Sequence, residues 1–147
     1  MSKEVTAFAK RFRGYFPVIV DVETGGFNPK HHALLEIAAV TLTLDNEGFL
    51  HPHTTLHEHI TPFEGSECDP KALAFTGIDP YHPFRLAHDE KTALTRIFKA
   101  IRAEQKDAGC QRTVLVGHNA AFDLSFVNQA ALRNHIKRNP FHPFTCL

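Results

Sequence analysis

The sequence predicts an α/β fold. Its sheet is mixed: strands one to three run as an antiparallel meander, strand four lies parallel to strand one, and helices flank the whole. Three observations carry this. The β-branched run at 18–22 is followed by two alternating apolar stretches, 33–44 and 54–61, with turn signals between them. A helical period then occupies 88–106. Another short apolar strand, 113–116, comes after that helix, and a strand reached through a crossover helix lies parallel to its neighbour.

The elements follow in order. Residues 1–14 are polar and end in Lys10, Arg11 and Arg13; they read either as a frayed, solvated lead-in or as a phosphate-binding edge. Strand one carries Val18, Ile19, Val20 and Val22 without polar interruption apart from two acids, Asp21 and Glu23. Side chains alternate along a strand, so both carboxylates lie on one face near its end, before Thr24, Gly25 and Gly26 break it. Buried together, such a pair calls for a divalent cation, and oxygen-only ligands suit Mg²⁺ or Mn²⁺ better than zinc. The plain alternative is a strand-end turn with two solvated acids. Phe27, beside the double glycine, either stacks on a base or folds back onto the domain.

Strand two contains Glu36, which either joins the acid pair or finds a partner elsewhere. A hairpin turn at 45–48 leads to strand three, where Leu56, Glu58 and Ile60 face one way and His57 and His59 the other. His51, His53, His57 and His59 could share a strand face and bind zinc. Pro52 interrupts that ladder, however, and no acid or thiol completes a set, so a metal role is not expected.

Asp69 and Pro70 open a short helix that Gly77 closes. The longer helix turns Leu94, Ile97, Phe98 and Ile101 inward. After strand four, the segment Gly117-His118-Asn119-Ala120-Ala121-Phe122-Asp123 opens a helix running to Ile136, with Leu124, Val127, Ala131 and Leu132 inward. Asp123 thus sits in a first helical turn, just past the end of a parallel strand, where ligands of α/β sheets gather. An acid there is also favoured by the helix dipole alone. Residues 139–144 read as a rigid proline turn, and 145–147 as the start of another strand.

Composition sets limits. The 147 residues make one domain, 1–147, and 43% hydrophobic residues supply a core. Net charge is zero, so a strongly basic nucleic-acid binder is not indicated and an anionic substrate must be held by local charge. Cys68, Cys110 and Cys146 show no paired spacing, which argues against a disulfide framework and for a reducing cytoplasm. No stretch approaches membrane-spanning length, so no membrane partner is expected.

Two motifs carry a resemblance. Asp21-x-Glu23-Thr24-Gly25 and His118-Asn119-x-x-Phe122-Asp123 resemble those of the DEDD-type 3′→5′ exonucleases, which have the ribonuclease H-like fold. Further stretches resemble the ribonuclease T family within them: Arg11-Phe12-Arg13-Gly14, Leu34-Leu35-Glu36-Ile37-Ala38-Ala39, Ala72-Leu73-Ala74-Phe75-Thr76-Gly77-Ile78-Asp79-Pro80 and Lys137-Arg138-Asn139-Pro140-Phe141-His142-Pro143-Phe144. The resemblance implies an exoribonuclease that trims single-stranded 3′ ends of transfer RNA, ribosomal RNA and other small stable RNAs, with single-stranded DNA as a further substrate. It implies two Mg²⁺ ions per site, held by Asp21, Glu23 and Asp123 as catalytic and metal-binding residues. It implies base stacking on Phe27, Phe75, Phe122 and Phe144. It also implies a homodimer in which Arg11, Arg13, Arg112 and Lys137 grip RNA bound at the partner's site.

Two departures stand out. The family carries an acid where this chain has Lys71, which puts the terminal-base preference in doubt. The family's third motif, a His general base and a fourth Asp, falls beyond Leu147. The sequence is therefore expected to be a fragment or a truncated form lacking the C-terminal strand and helix, and inactive alone. The competing functions are a DNA 3′→5′ exonuclease of the same superfamily and an inactive nucleic-acid-binding or dimerisation module.

Overall fold

The computed structural model describes residues 5–146; what the sequence suggests for 1–4 and for Leu147 lies outside them. Nine elements follow one another: α1 (Ala7–Arg11), β1 (Tyr15–Thr24), β2 (Leu34–Leu44), β3 (Leu50–His59), α2 (Pro70–Thr76), α3 (Glu90–Asp107), β4 (Arg112–Val116), α4 (Ala120–Arg133) and β5 (Phe141–Cys146). The sheet has the order β3-β2-β1-β4-β5. β1–β2 and β2–β3 pair antiparallel, and β1–β4 and β4–β5 parallel. The mixed sheet with strand four parallel to strand one is the arrangement the sequence predicts.

β1 is the central strand, and its two faces differ. Phe16, Val18, Val20 and Val22 are buried in the core with Leu94, Ile97, Phe98 and Ile101 of α3 and Leu124, Phe126 and Val127 of α4. The alternate residues Ile19, Asp21 and Glu23 look away from that core. On this second face Tyr15, Pro17, Ile19, Val114 and Val116 line a shallow apolar depression with Phe12 and Phe144.

The helices start where capping chemistry allows. Asp69 caps α2 through Lys71 N–H at 2.9 Å, and left-handed Gly77 ends it. Asp89 caps α3 through Thr92 N–H at 2.8 Å. Glu90 in that first turn is 4% exposed and takes a two-pronged ion pair from Arg133 of α4, at 2.6 and 3.0 Å. The Arg133 guanidinium also lies 3.7 Å from the Phe63 ring centroid. This contact fixes α3 against α4. No helix among the described residues is long and apolar enough to cross a membrane.

Four expectations are corrected. The lead-in is not frayed from residue 6 onward: Thr6 caps α1, and its hydroxyl donates to Ala108 O at 2.7 Å while Phe8 enters the core. Strand three begins at Leu50, because Pro52 sits on an edge strand where a missing N–H costs no ladder bond. The C-terminal strand is not missing, and 139–144 is not only a turn. Asn139 accepts Phe141 N–H at 3.0 Å and launches β5, whose one proline, Pro143, is tolerated because this strand too is an edge. Leu132 is 70% exposed; α4 ends one residue later, and Ile136 packs against the core instead.

Candidate active site

The site begins with the side-chain alternation of β1. Glu23 is directly opposite Glu36 of β2, and Asp21 is opposite Ala38. β4 pairs with β1 only as far as Ile19. Further along, the free backbone N–H of Val22 donates instead to Asp123 Oδ1, at 2.9 Å. That bond seats the α4 carboxylate against the stretch of backbone that carries Asp21 and Glu23.

Two glycines make the approach possible. A Cβ on Gly117 would lie 2.8 Å from Val20 O, so only glycine lets the end of β4 pass this close to β1. Asn119 follows in the left-handed region (φ 54°), and α4 starts with Asp123 in its first turn. On the opposite wall, a Cβ on Gly25 would meet Cys68 Sγ at 2.8 Å. The segment before α2 thus lies directly on the end of β1, with Asp69 N–H donating to Gly25 O at 2.6 Å. The Thr24 hydroxyl closes the turn onto Gly26 O at 2.7 Å.

The result is a cleft of about 560 Å³ whose lining includes Asp21, Glu23, Phe27, Lys71, Phe75, His118, Asn119, Phe122 and Asp123. Phe27 and Phe75 are 84% and 91% exposed, an unusual use of the largest apolar side chains present. Phe27 and Phe122 meet edge to face, with ring centroids 6.3 Å apart.

The electrostatics of the floor are those of crowded negative charge, only partly relieved by hydrogen bonds and His118. Burial, then repulsion from Asp21, Glu36 and Asp123, holds the Glu23 carboxyl above its ordinary range. Burial and Asp21 raise Asp123 as well, against the lowering effect of the Val22 N–H. A divalent cation would remove this penalty, and an all-oxygen donor set fits Mg²⁺ or Mn²⁺. Among the described residues, the one trio of potential donors lying within 4.8 Å of one another is Glu36, His57 and His59.

The other expected site residues lie elsewhere. Arg112 pairs with Tyr15, six residues before Asp21, which places it about 20 Å away along the strand. Arg11, Arg13 and Lys137 are exposed, and none of the four basic residues lines the cleft. Phe144 is exposed on β5 and borders the apolar depression on the far part of the sheet. Sequence reasoning gave no role to Thr24, whose position beside two glycines is the one signal that it closes a turn. It also left Glu36 without an assigned partner; His57 contacts it.

Comparison with known proteins shows the family and the fold. An exonuclease family model matches residues 18–147. The chain is 58% identical over 145 residues to ribonuclease T of Vibrio parahaemolyticus, covering 98% of this chain and 68% of that protein. It is 58% identical over 141 residues to ribonuclease T of Yersinia pseudotuberculosis, covering 96% and 66%. The chain thus spans about two thirds of the length of these relatives. In fold it is similar to E. coli exonuclease I solved with a dT13 oligonucleotide, with a TM-score of 0.65, 21% identity, and coverage of 88% of this chain and 25% of that one.

Proposed function

Because the chain belongs to the exonuclease family, we propose that it is the greater part of a divalent-metal-dependent 3′→5′ exoribonuclease, which removes nucleotides from single-stranded 3′ ends. One observation carries the reading: Asp123 is hydrogen-bonded to the backbone between Asp21 and Glu23, at the floor of a cleft walled by exposed phenylalanines. The 58% identity to proteins named ribonuclease T favours RNA over DNA.

Two bound divalent cations, Mg²⁺ or Mn²⁺, would supply the chemistry of activating a water and offsetting the negative charge that develops on the leaving 3′ oxygen. The chain's own residues do the rest. Asp21 and Glu23, on one face of β1, would hold the cations from one side, and Asp123 from the other. The Val22 N–H keeps the Asp123 carboxylate from turning away when the cleft is empty of substrate. Phe27, Phe75 and Phe122 offer ring faces to the last bases, and stacking accepts any base. Splayed bases suit such rings; paired bases do not, which selects single strands.

The substrates proposed are the 3′ ends of transfer RNA and other stable RNAs in the cytoplasm. The protein would act as a homodimer, with Arg11, Arg13, Arg112 and Lys137 serving the partner's cleft, and Phe144 stacking beyond the innermost bases. Arg112, whose backbone lies about 20 Å along the strand from Asp21, is too far to reach the scissile phosphate of its own site, which favours service in trans.

The test uses the full-length gene product and RNA labelled at the 5′ end, with a single-stranded 3′ tail. Stepwise shortening in Mg²⁺, absent in EDTA and absent for Asp21→Asn, is the expected result. Shortening from the 5′ end, internal cuts, or activity within tenfold of the parent for Asp21→Asn would reject the assignment.

A further inference from the structure

We propose that Glu36, His57 and His59 form a second metal site, for a transition metal of the zinc type, beside the carboxylate cleft at the Glu23–Glu36 pair but using none of its three acids. Glu36 on β2 is directly opposite His59 of β3, and His57 is two residues away on the same face of that strand. One donor atom from each lies within 4.8 Å of the others. Ligands bound to one zinc ion sit about 3.3 Å apart, as bond lengths near 2.1 Å in tetrahedral geometry require, so small side-chain rotations complete the set.

The neighbouring histidines show why this trio is distinct. The ladder between β2 and β3 shifts register between Val40 and Leu42. A one-residue shift turns the following side chains to the opposite face. His53 accordingly reaches Glu104 of α3 at 3.5 Å, and His51 pairs with Asp45 at 2.6 Å, each with its own acid. His57 and His59 stay with Glu36, their rings 4.8 Å apart. Nδ1 of His59 is buried and has no hydrogen-bond partner among the described residues. A buried ring nitrogen left bare is uncommon, and a cation gives it a role.

The chemistry differs from that of the cleft. Imidazole donors favour zinc, cobalt and nickel over magnesium, whereas the cleft offers oxygen alone. Three protein ligands leave the fourth position to water, and the His57 side chain is 43% exposed, so that position faces solvent. Occupancy ties the edge strand β3 to β2 through side chains as well as through the ladder.

The experiment loads the full-length protein with Zn²⁺ in excess Mg²⁺, then measures bound zinc after dialysis and the melting temperature. One equivalent of zinc with a raised melting temperature is expected. The zinc should survive Asp21→Asn and be lost, with at least tenfold weaker binding, in the His57→Gln/His59→Gln double variant. Co²⁺ in place of zinc should give the visible absorption of a nitrogen-ligated site. No zinc uptake at micromolar concentration overturns the proposal. So does equal uptake by the double variant, or loss of the zinc in Asp21→Asn, which would assign it to the cleft.

Discussion

Phe75→Ala separates a stacking ring from a core ring. Full burial of a phenylalanine contributes about 3 kcal/mol at most, and Phe75 is 91% exposed, so truncation removes only about 0.3 kcal/mol of folding free energy. In a chain of 147 residues that is roughly 1 °C in melting temperature. Phe126, fully buried, is the control; its truncation should cost about 3–5 kcal/mol. Binding should move the other way. A base stacked on Phe75 contributes about 1–3 kcal/mol, so the Kd for a short single strand should rise roughly 5- to 150-fold. Fluorescence anisotropy with a labelled oligoribonucleotide, measured beside a thermal melt, reads both numbers from one preparation. A melting temperature lowered by many degrees, or a Kd unchanged within twofold, would refute the reasoning.

Three further predictions concern charge. Asp123→Asn should raise the melting temperature of the metal-free protein at neutral pH. The folded carboxyl is held above its ordinary range, so its penalty is present above the raised value and fades as pH falls towards the ordinary one. The gap between variant and parent should therefore close on acidification, and a gap independent of pH would contradict the assignment. Arg133→Met leaves buried Glu90 without its charged partner, with only the Asn134 amide donating to it at 2.8 Å, and should cost about 3 kcal/mol, whereas Glu90→Leu with Arg133→Met should recover most of that; chemical denaturation measures both. Finally, Arg112→Glu/Lys137→Glu and Asp21→Asn proteins, each inactive alone, should regain activity when their subunits are exchanged. A mixture no more active than its parts would count against basic groups acting in trans.

Much of this was legible in advance because it rests on local chemistry. Alternation fixed which face of β1 carries Asp21 and Glu23, and a capping residue marked the start of α2, whereas the periodicity of α3 put its start at His88 and missed the Asp89 cap. The exposed Phe27 was visible as a bulky residue beside two glycines, a place poor for packing, whereas only the family resemblance pointed to Phe75. What escaped depends on partners distant in sequence. Prolines in β3 and β5 read as breaks until the strands prove to be edges. Glu36 reads as an ambiguous acid until the ladder places His59 opposite it, and the register shift that parts His53 from His57 leaves no sequence mark. The Val22 N–H is available to Asp123 only because β4 stops short, at Val116.

The two unlike faces of β1 have a consequence for how this protein can change. Its valines and its acids are separated by nothing but odd and even position. An insertion or deletion of one residue between Phe16 and Glu23 would send the carboxylates into the helix-packed interior and the valines into the cleft. Folding and catalysis would be lost in one event, and no point substitution could restore either. Length variation in this strand must therefore come in pairs of residues or be taken up by a bulge, while the turn after Gly26, tied by Gly25 N–H to Ala33 O and His32 N–H to Asn28 O, both at 2.8 Å, sets how far Phe27 reaches.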